Sequence, residues 1–238
     1  MAKKRAVGLL VAAGGIYILK EVAQRWGASS DEVGRSYPGD DLISRATAET
    51  THAVTVHAPA EAIWPWLVQA GYHRGGWYGN ATIDQFFDKV LWQTIVPPEE
   101  RSEYRPSADR ILPEYQDLKV GDIVPDGPPD TVYFIVKEME PNQHLVLFSN
   151  THNRYSAPAF IRGTNLAPYG DFTWAFILNE VGPGKTRLIL RTRFKHGPLW
   201  FRILGWPILM MGEALFPIQI LKGIKRRAEH TISASPGN

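Results

Sequence analysis

The chain is 238 residues long, 44% hydrophobic and 21% charged, with a net charge of +2 and no cysteine. That balance fits one large domain with an appendage and excludes a disordered chain or a disulfide scaffold. It also argues against nucleic acid as a partner, and the lack of cysteine removes thiolate metal sites and a cysteine nucleophile while leaving the redox compartment open.

Lys3, Lys4 and Arg5 precede an uncharged run over residues 6–19, bounded by Lys20 and Glu21. Fourteen residues at ~1.5 Å each reach about 21 Å, short of a ~30 Å hydrocarbon core. Extending the stretch through residue 23, with Lys20 snorkelling and Tyr17 at the interface, brings it near spanning length. Three readings compete: a membrane anchor, a cleaved signal peptide, and a helix packed on the domain. Few small residues follow where a signal peptidase would need them, so residues 1–24 are read as an anchoring hydrophobic helix. The basic amino terminus points to the cytoplasm, which puts the domain outside it.

Residues 25–47 carry Pro38-Gly39 and the acidic pair Asp40 and Asp41, and read as a linker or lead-in segment. A strand follows over residues 51–57. A helix then starts at Pro59, with an expected apolar stripe of Ile63, Trp64, Leu67 and Val68. Residues 71–79 are rich in glycine and aromatics and form a loop. Residues 83–95 look helical, and residues 120–124 make a short strand. Residues 131–138 and 144–149 alternate at period two around the turn signal Pro141-Asn142. Residues 150–170 lack periodicity and suggest a packed or lid-like loop.

The closing hairpin, residues 172–179 and 186–194, is two-sided. Phe172, Trp174, Phe176 and Leu178 share a face with Leu188, Leu190 and Phe194, while Arg187, Arg191 and Arg193 point away, toward expected solvent. Pro207 and Pro217 are expected to break the stretch that follows, leaving a last helix over residues 218–231. Strand, helix, meander and closing helix predict an α+β helix-grip domain over residues 48–232, a curved antiparallel sheet around a long carboxy-terminal helix. A disordered tail over residues 233–238 completes the chain.

Several segments together resemble the SRPBCC superfamily of START-related and polyketide cyclase/dehydrase-like proteins, closest to an uncharacterised, membrane-anchored bacterial group. They are Arg25-Trp-Gly-Ala28, Pro38-Gly-Asp40, Ile63-Trp-Pro-Trp-Leu-Val-Gln69, Arg74-Gly-Gly-Trp-Tyr78, Ser107-Ala-Asp-Arg-Ile111, Val120-Gly-Asp122, Trp174-Ala-Phe176 and Gly223-Ile-Lys-Arg-Arg-Ala-Glu229. The resemblance covers nearly all of residues 25–230. It implies a helix-grip fold with a hydrophobic ligand cavity and says little about activity. Asn80 to Ile83 depart from the aromatic stretch usual before the aspartate at position 84.

The seven histidines show no metal-ligand spacing, no phosphate loop follows a strand, and no nucleophile elbow is present. No metal or cofactor is therefore expected. Two constellations combine ionisable and aromatic residues: His73 and Arg74 with Trp77, Tyr78 and Asp84, and Asp109 and Arg110 with Glu114. His73, Tyr78, Asp84 and Arg110 are the candidates for acid–base chemistry. The same groups would equally serve to pin loops to one another. The expected ligand walls are Trp66, Trp77, Phe134, Phe148, Trp174, Phe176, Leu190 and Ile224, with Tyr78, Asp84 and Arg110 orienting the ligand.

Two functional classes stand. One is a binder or carrier of a lipid-like or polycyclic molecule, held at a membrane through residues 6–23; Trp200, Phe201 and Trp206 with Arg202 and the cations from Lys222 to Arg227 offer further bilayer contacts. The other is a cyclase- or dehydratase-like lyase or isomerase. An ionisable side chain facing the apolar interior would favour the enzyme.

Overall fold

The computed structural model describes residues 24–82, 85, 104–155 and 161–234, without the side chains of residues 155, 204–214 and 234. The apolar run over residues 6–23, Asp84, most of the predicted helix over residues 83–95 and the last four residues of the tail lie outside that description. No described helix is long and apolar enough to cross a membrane.

Six strands form one antiparallel sheet: β1 (Ala48–Val56), β2 (Ile123–Pro125), β3 (Tyr133–Glu140), β4 (His144–Ser149), β5 (Tyr169–Gly182) and β6 (Lys185–Gly197). Their spatial order is β1-β6-β5-β4-β3-β2, so β1 closes against the last strand rather than the second. Register shifts between Val136 and Glu138 and between Glu180 and Gly182 mark bulges, which add bend and twist to a sheet that must curve. The helices are α1 (Ser30–Gly34), α2 (Ala60–Val68), α3 (His152–Tyr155) and the closing α4 (Trp206–Ala234). Together they make an α+β arrangement consistent with a helix grip.

Period-two alternation places Val54, Leu188, Leu190, Phe194, Phe172, Trp174, Phe176, Leu145, Leu147 and Phe134 in one core. Helices α2 and α4 cover this concave face, α4 through Ile220, Leu221, Ile224 and Ala228. The predicted stripe of α2 is rotated: Ile63, Trp66, Leu67 and Val68 are buried, while Trp64 is only half-buried. The second aromatic is the one that meets the sheet.

Two expectations are corrected. Pro207 and Pro217 do not divide the last stretch, because α4 runs unbroken from Trp206 to Ala234. Pro207 follows directly on a π-helical turn, Phe201–Gly205, so the change of helix type falls just before it, and the packing of Ile220, Leu221 and Ile224 outweighs the one hydrogen bond removed at Pro217. The arginine face of the hairpin is not solvated either. Residues 24–45 lie across it as a cover, with Tyr37 in a second core of Ala53, Val146, Ala175, Ile177 and Ile189. Arg191 is 4% exposed. Finally, of the two readings of residues 25–47, linker or lead-in segment, the contacts fit the second. A capping box at Ser29 and Glu32 starts α1, and Glu32 then takes Arg187 at 2.7 Å.

Candidate functional site

The concave face is a layer of aromatic rings. Trp77 meets Trp174 edge-on at 5.0 Å and Phe134 at 5.9 Å, while Phe134 stacks on Trp174 at 5.0 Å. Phe172 extends the row to Phe194 at 4.8 Å. Trp66, Trp77, Tyr78, Phe134, Trp174, Phe176, Leu190 and Ile224 all belong to this core. Among the described residues these rings pack on one another.

The layer holds polar groups that lack partners. The indole N–H groups of Trp66, Trp77 and Trp174 are buried without an acceptor, and so are the Thr50 and Thr192 hydroxyls on the same face. A buried donor left unmade costs about 1–3 kcal/mol, so a group of five calls for an explanation.

Two of the expected ligand contacts lie elsewhere. Phe148 alternates with Leu147 and therefore points to the convex side, where Lys137 sits 5.4 Å from its ring. The Arg110 side chain is exposed, as are Asp109 and Glu114. What fixes their loop is Gln69, fully buried, which donates from Nε2 to the Arg110 carbonyl and accepts from the Leu112 N–H and from Gln116. The loop is pinned through its backbone, so the arginine is left in solvent.

Arg74 is structural as well. Its guanidinium donates to the Ala70 and Val68 carbonyls and lies 4.7 Å over the Tyr115 ring, closing the carboxy end of α2. Burial pushes its pKa down. His73 stacks on Tyr72 at 4.2 Å in a left-handed turn, half-buried and away from the aromatic layer.

Tyr78 joins the layer to the closing helix. Its hydroxyl donates to the Trp66 carbonyl at 2.7 Å and its N–H to Ser107 Oγ at 2.9 Å. Its φ of 62° is a left-handed conformation costly for a bulky residue. Gly223 makes the crossing feasible, since a Cβ there would meet the Tyr78 carbonyl at 1.8 Å. Burial holds the Tyr78 phenol far above its ordinary pKa, which rules out a phenolate near neutrality.

An ionisable group that touches the layer is one the sequence did not single out. His152, at the start of α3, touches Phe134 at 4.6 Å and Phe172 at 5.1 Å. Its Nε2 lies 2.6 Å from Asp126 Oδ2 and its Nδ1 2.7 Å from Ser149 Oγ. A carboxylate that fixes one ring nitrogen and a hydroxyl on the other is the arrangement a proton relay needs. Asp126 and His152 are 26 positions apart, so no local spacing exposed them. His196 continues the β6 face next to Phe194 and Phe201. Burial, and secondarily the Arg202 charge, push its pKa from 6.5 to about 4.

At this end Phe201 is buried, while the half-buried Trp200 donates its indole N–H to the Leu166 carbonyl. The exposed apolar side chains nearby in sequence are Leu166, Tyr169, Leu199 and Ile203.

No family model matches the chain, and no curated protein does either. Among solved structures, a protein from Mesorhizobium loti aligns at 13% identity, covering 77% of this chain and 98% of its own, with a TM-score of 0.42. The Zhui aromatase/cyclase from a Streptomyces species aligns at 12% identity over 80% of this chain and 99% of its own, with a TM-score of 0.33. CalU16 from Micromonospora echinospora aligns at 12% identity over 78% and 86%, with a TM-score of 0.31. Likenesses of this size assign neither activity nor ligand.

Proposed function

We propose that this chain binds a hydrophobic small molecule, lipid-like or polycyclic, against the aromatic layer beneath α4, and that the molecule carries hydrogen-bond acceptors. The observation that carries this reading is the set of buried, unpartnered donors on one face: the Trp66, Trp77 and Trp174 indoles with the Thr50 and Thr192 hydroxyls. A saturated hydrocarbon would leave them all unmade, whereas a molecule with carbonyl or ether oxygens relieves several at once. Native mass spectrometry of the full chain from its own host, followed by solvent extraction, tests it. An oxygenated apolar compound should co-purify and be lost from a Trp174→Phe, Thr192→Val double variant that still folds. Recovery of no compound from the wild type would overturn the reading.

A second reading, a cyclase- or dehydratase-like enzyme, is favoured by the Asp126–His152–Ser149 chain against Phe134 and Phe172. His152 would take or return a proton on the held molecule, with Asp126 fixing the ring. On that reading, His152→Gln abolishes conversion of the extracted compound while retaining its binding. Equal turnover in the variant excludes it.

The uncharged run over residues 6–19, extended through residue 23 with Lys20 snorkelling, supports anchoring of this domain to a membrane with the amino terminus inside. Fractionation of the full chain against one beginning at Ser29 separates the cases, and identical soluble behaviour of both would defeat the anchor.

A further inference from the structure

Helix α4 has a basic stripe on the side turned away from the sheet. Gln219, Lys222, Gly223, Arg226 and Arg227 recur at helical spacing and form one wall of a cavity of about 270 Å³. Tyr78 and Asn80 stand on the facing wall, as do Tyr104 and Ser107. The cavity lies behind Tyr78, on the side opposite the aromatic layer, and no residue of the ligand site proposed above lines it except Tyr78.

Its electrostatics are one-sided. Three cations, Lys222, Arg226 and Arg227, line the cavity, and among the described residues no carboxylate does. Among the described residues neither Lys222 nor Arg226 has an ion-pair partner, although Lys225, one turn away, is paired with Glu229. Like charges on neighbouring turns repel; Arg227 and Lys222 have contacts with the fold, Lys222 through the Trp26 ring, while the exposed Arg226 has no ion-pair partner among the described residues. Arg227 is held in place: its Nε donates to the Ala108 carbonyl at 2.7 Å and its guanidinium lies 4.8 Å over the Tyr78 ring. The Ser107 hydroxyl oxygen accepts from the Tyr78 N–H, which leaves its proton to donate.

We infer that this cavity is an anion site for a phosphate-bearing group. A carboxylate neutralises only one cation, whereas a phosphate dianion with its several oxygens can take the Arg226 fork and the Lys222 ammonium together, within the field of Arg227. The volume is several times that of a phosphate ion, so the group arrives attached to a small body, with Tyr104 and Asn80 among the side chains that line its space. The left-handed backbone at Tyr78 fits a wall held in a fixed shape by its surroundings. The bearer is either a soluble phosphorylated compound or the headgroup of a phospholipid.

Two probes on the full chain distinguish these sources. Inorganic phosphate is titrated at constant ionic strength and followed by intrinsic tryptophan fluorescence, since Lys222 lies 5.1 Å from the Trp26 ring. Mixed phosphatidylcholine–phosphatidylglycerol vesicles are tested by co-flotation. Each is repeated with Lys222→Gln, Arg226→Gln and, as a control, Lys195→Gln on the exposed end of β6. Saturable phosphate binding that weakens roughly tenfold or more in the two cavity variants and not in the control supports a soluble bearer. Phosphate-independent flotation lost in the same two variants alone supports a lipid headgroup. If neither probe binds, or if all three variants behave alike, the site does not exist. Lys222 and Arg226 are exposed, and unchanged thermal unfolding of their variants excludes a folding artefact.

Discussion

The two faces of the sheet are built from the same strands and handle polar groups in opposite ways. On the convex face Arg191 donates to the Thr51 hydroxyl at 2.6 Å and the Val33 carbonyl at 3.1 Å, and pairs with Glu49 at 2.7 Å. Arg193 shares Glu49 and Asp40, and Arg187 takes Glu32. Among the described residues only the Tyr37 hydroxyl and Arg193 Nε remain without partners there. On the concave face, three indoles and two threonine hydroxyls have none. Polar groups that stabilise a fold are satisfied within it. Those left unsatisfied across an aromatic layer are the groups that the proposed ligand would engage.

The largest test of this contrast is Arg191→Ala. It leaves Asp40, Glu49 and the Val33 carbonyl short of a buried donor and should cost about 3 kcal/mol in urea unfolding, with no change in any co-purifying compound per folded molecule. A loss below about 1 kcal/mol would mean the convex network is ornamental to stability.

Acid should separate the faces next. His196 has a folded pKa of about 4 against 6.5 unfolded, so the unfolded state gains a proton first as pH falls. Its contribution is full above 6.5 and is lost on descending to about 4, amounting to roughly 2 kcal/mol once residual screening is allowed for. Glu32, held down to about 2 chiefly by its Arg187 hydrogen bond, gives up its contribution only between 4.5 and about 2. Unfolding free energy measured from pH 7 downward should therefore decline first through the concave face, and His196→Gln should flatten the upper limb alone. A single decline below pH 4.5 would contradict this order.

The smallest test uses neighbours in sequence. Thr51 bonds Arg191 on the convex side, and Thr50 has no partner on the concave side. Thr51→Val should cost about 1–2 kcal/mol, and Thr50→Val should be neutral or slightly stabilising in ligand-free protein. Equal costs would erase the distinction.

Much of this fold can be read from residue pattern. Alternation in residues 172–194 specifies a hairpin with an aromatic face because side chains on a pleat reverse at every step. The strands at residues 133–149 follow from the same rule and from Pro141-Asn142. Pro217 misleads because a local penalty of one hydrogen bond is weighed against packing that only α4 in place reveals. Trp66 and not Trp64 meets the sheet because the helix rotation is set by the concave surface, which no helical stripe encodes by itself. The candidate site was legible in its apolar part and not in its ionisable part. Asp84 falls outside the described residues, and Arg110 is released to solvent because Gln69 holds its loop by the backbone.

The sequence by itself determined the element order, the two-faced sheet and the aromatic character of its interior, since these follow from periodicity and turn chemistry within a few residues. Tertiary structure alone decided which polar groups are satisfied. Thr50 and Thr51 are chemically identical and adjacent, yet the partner of Thr51 comes from 140 positions away. Hydrogen bonding depends on ångström-scale placement of groups from distant segments, and the spacing of residues along one strand carries no information about that placement.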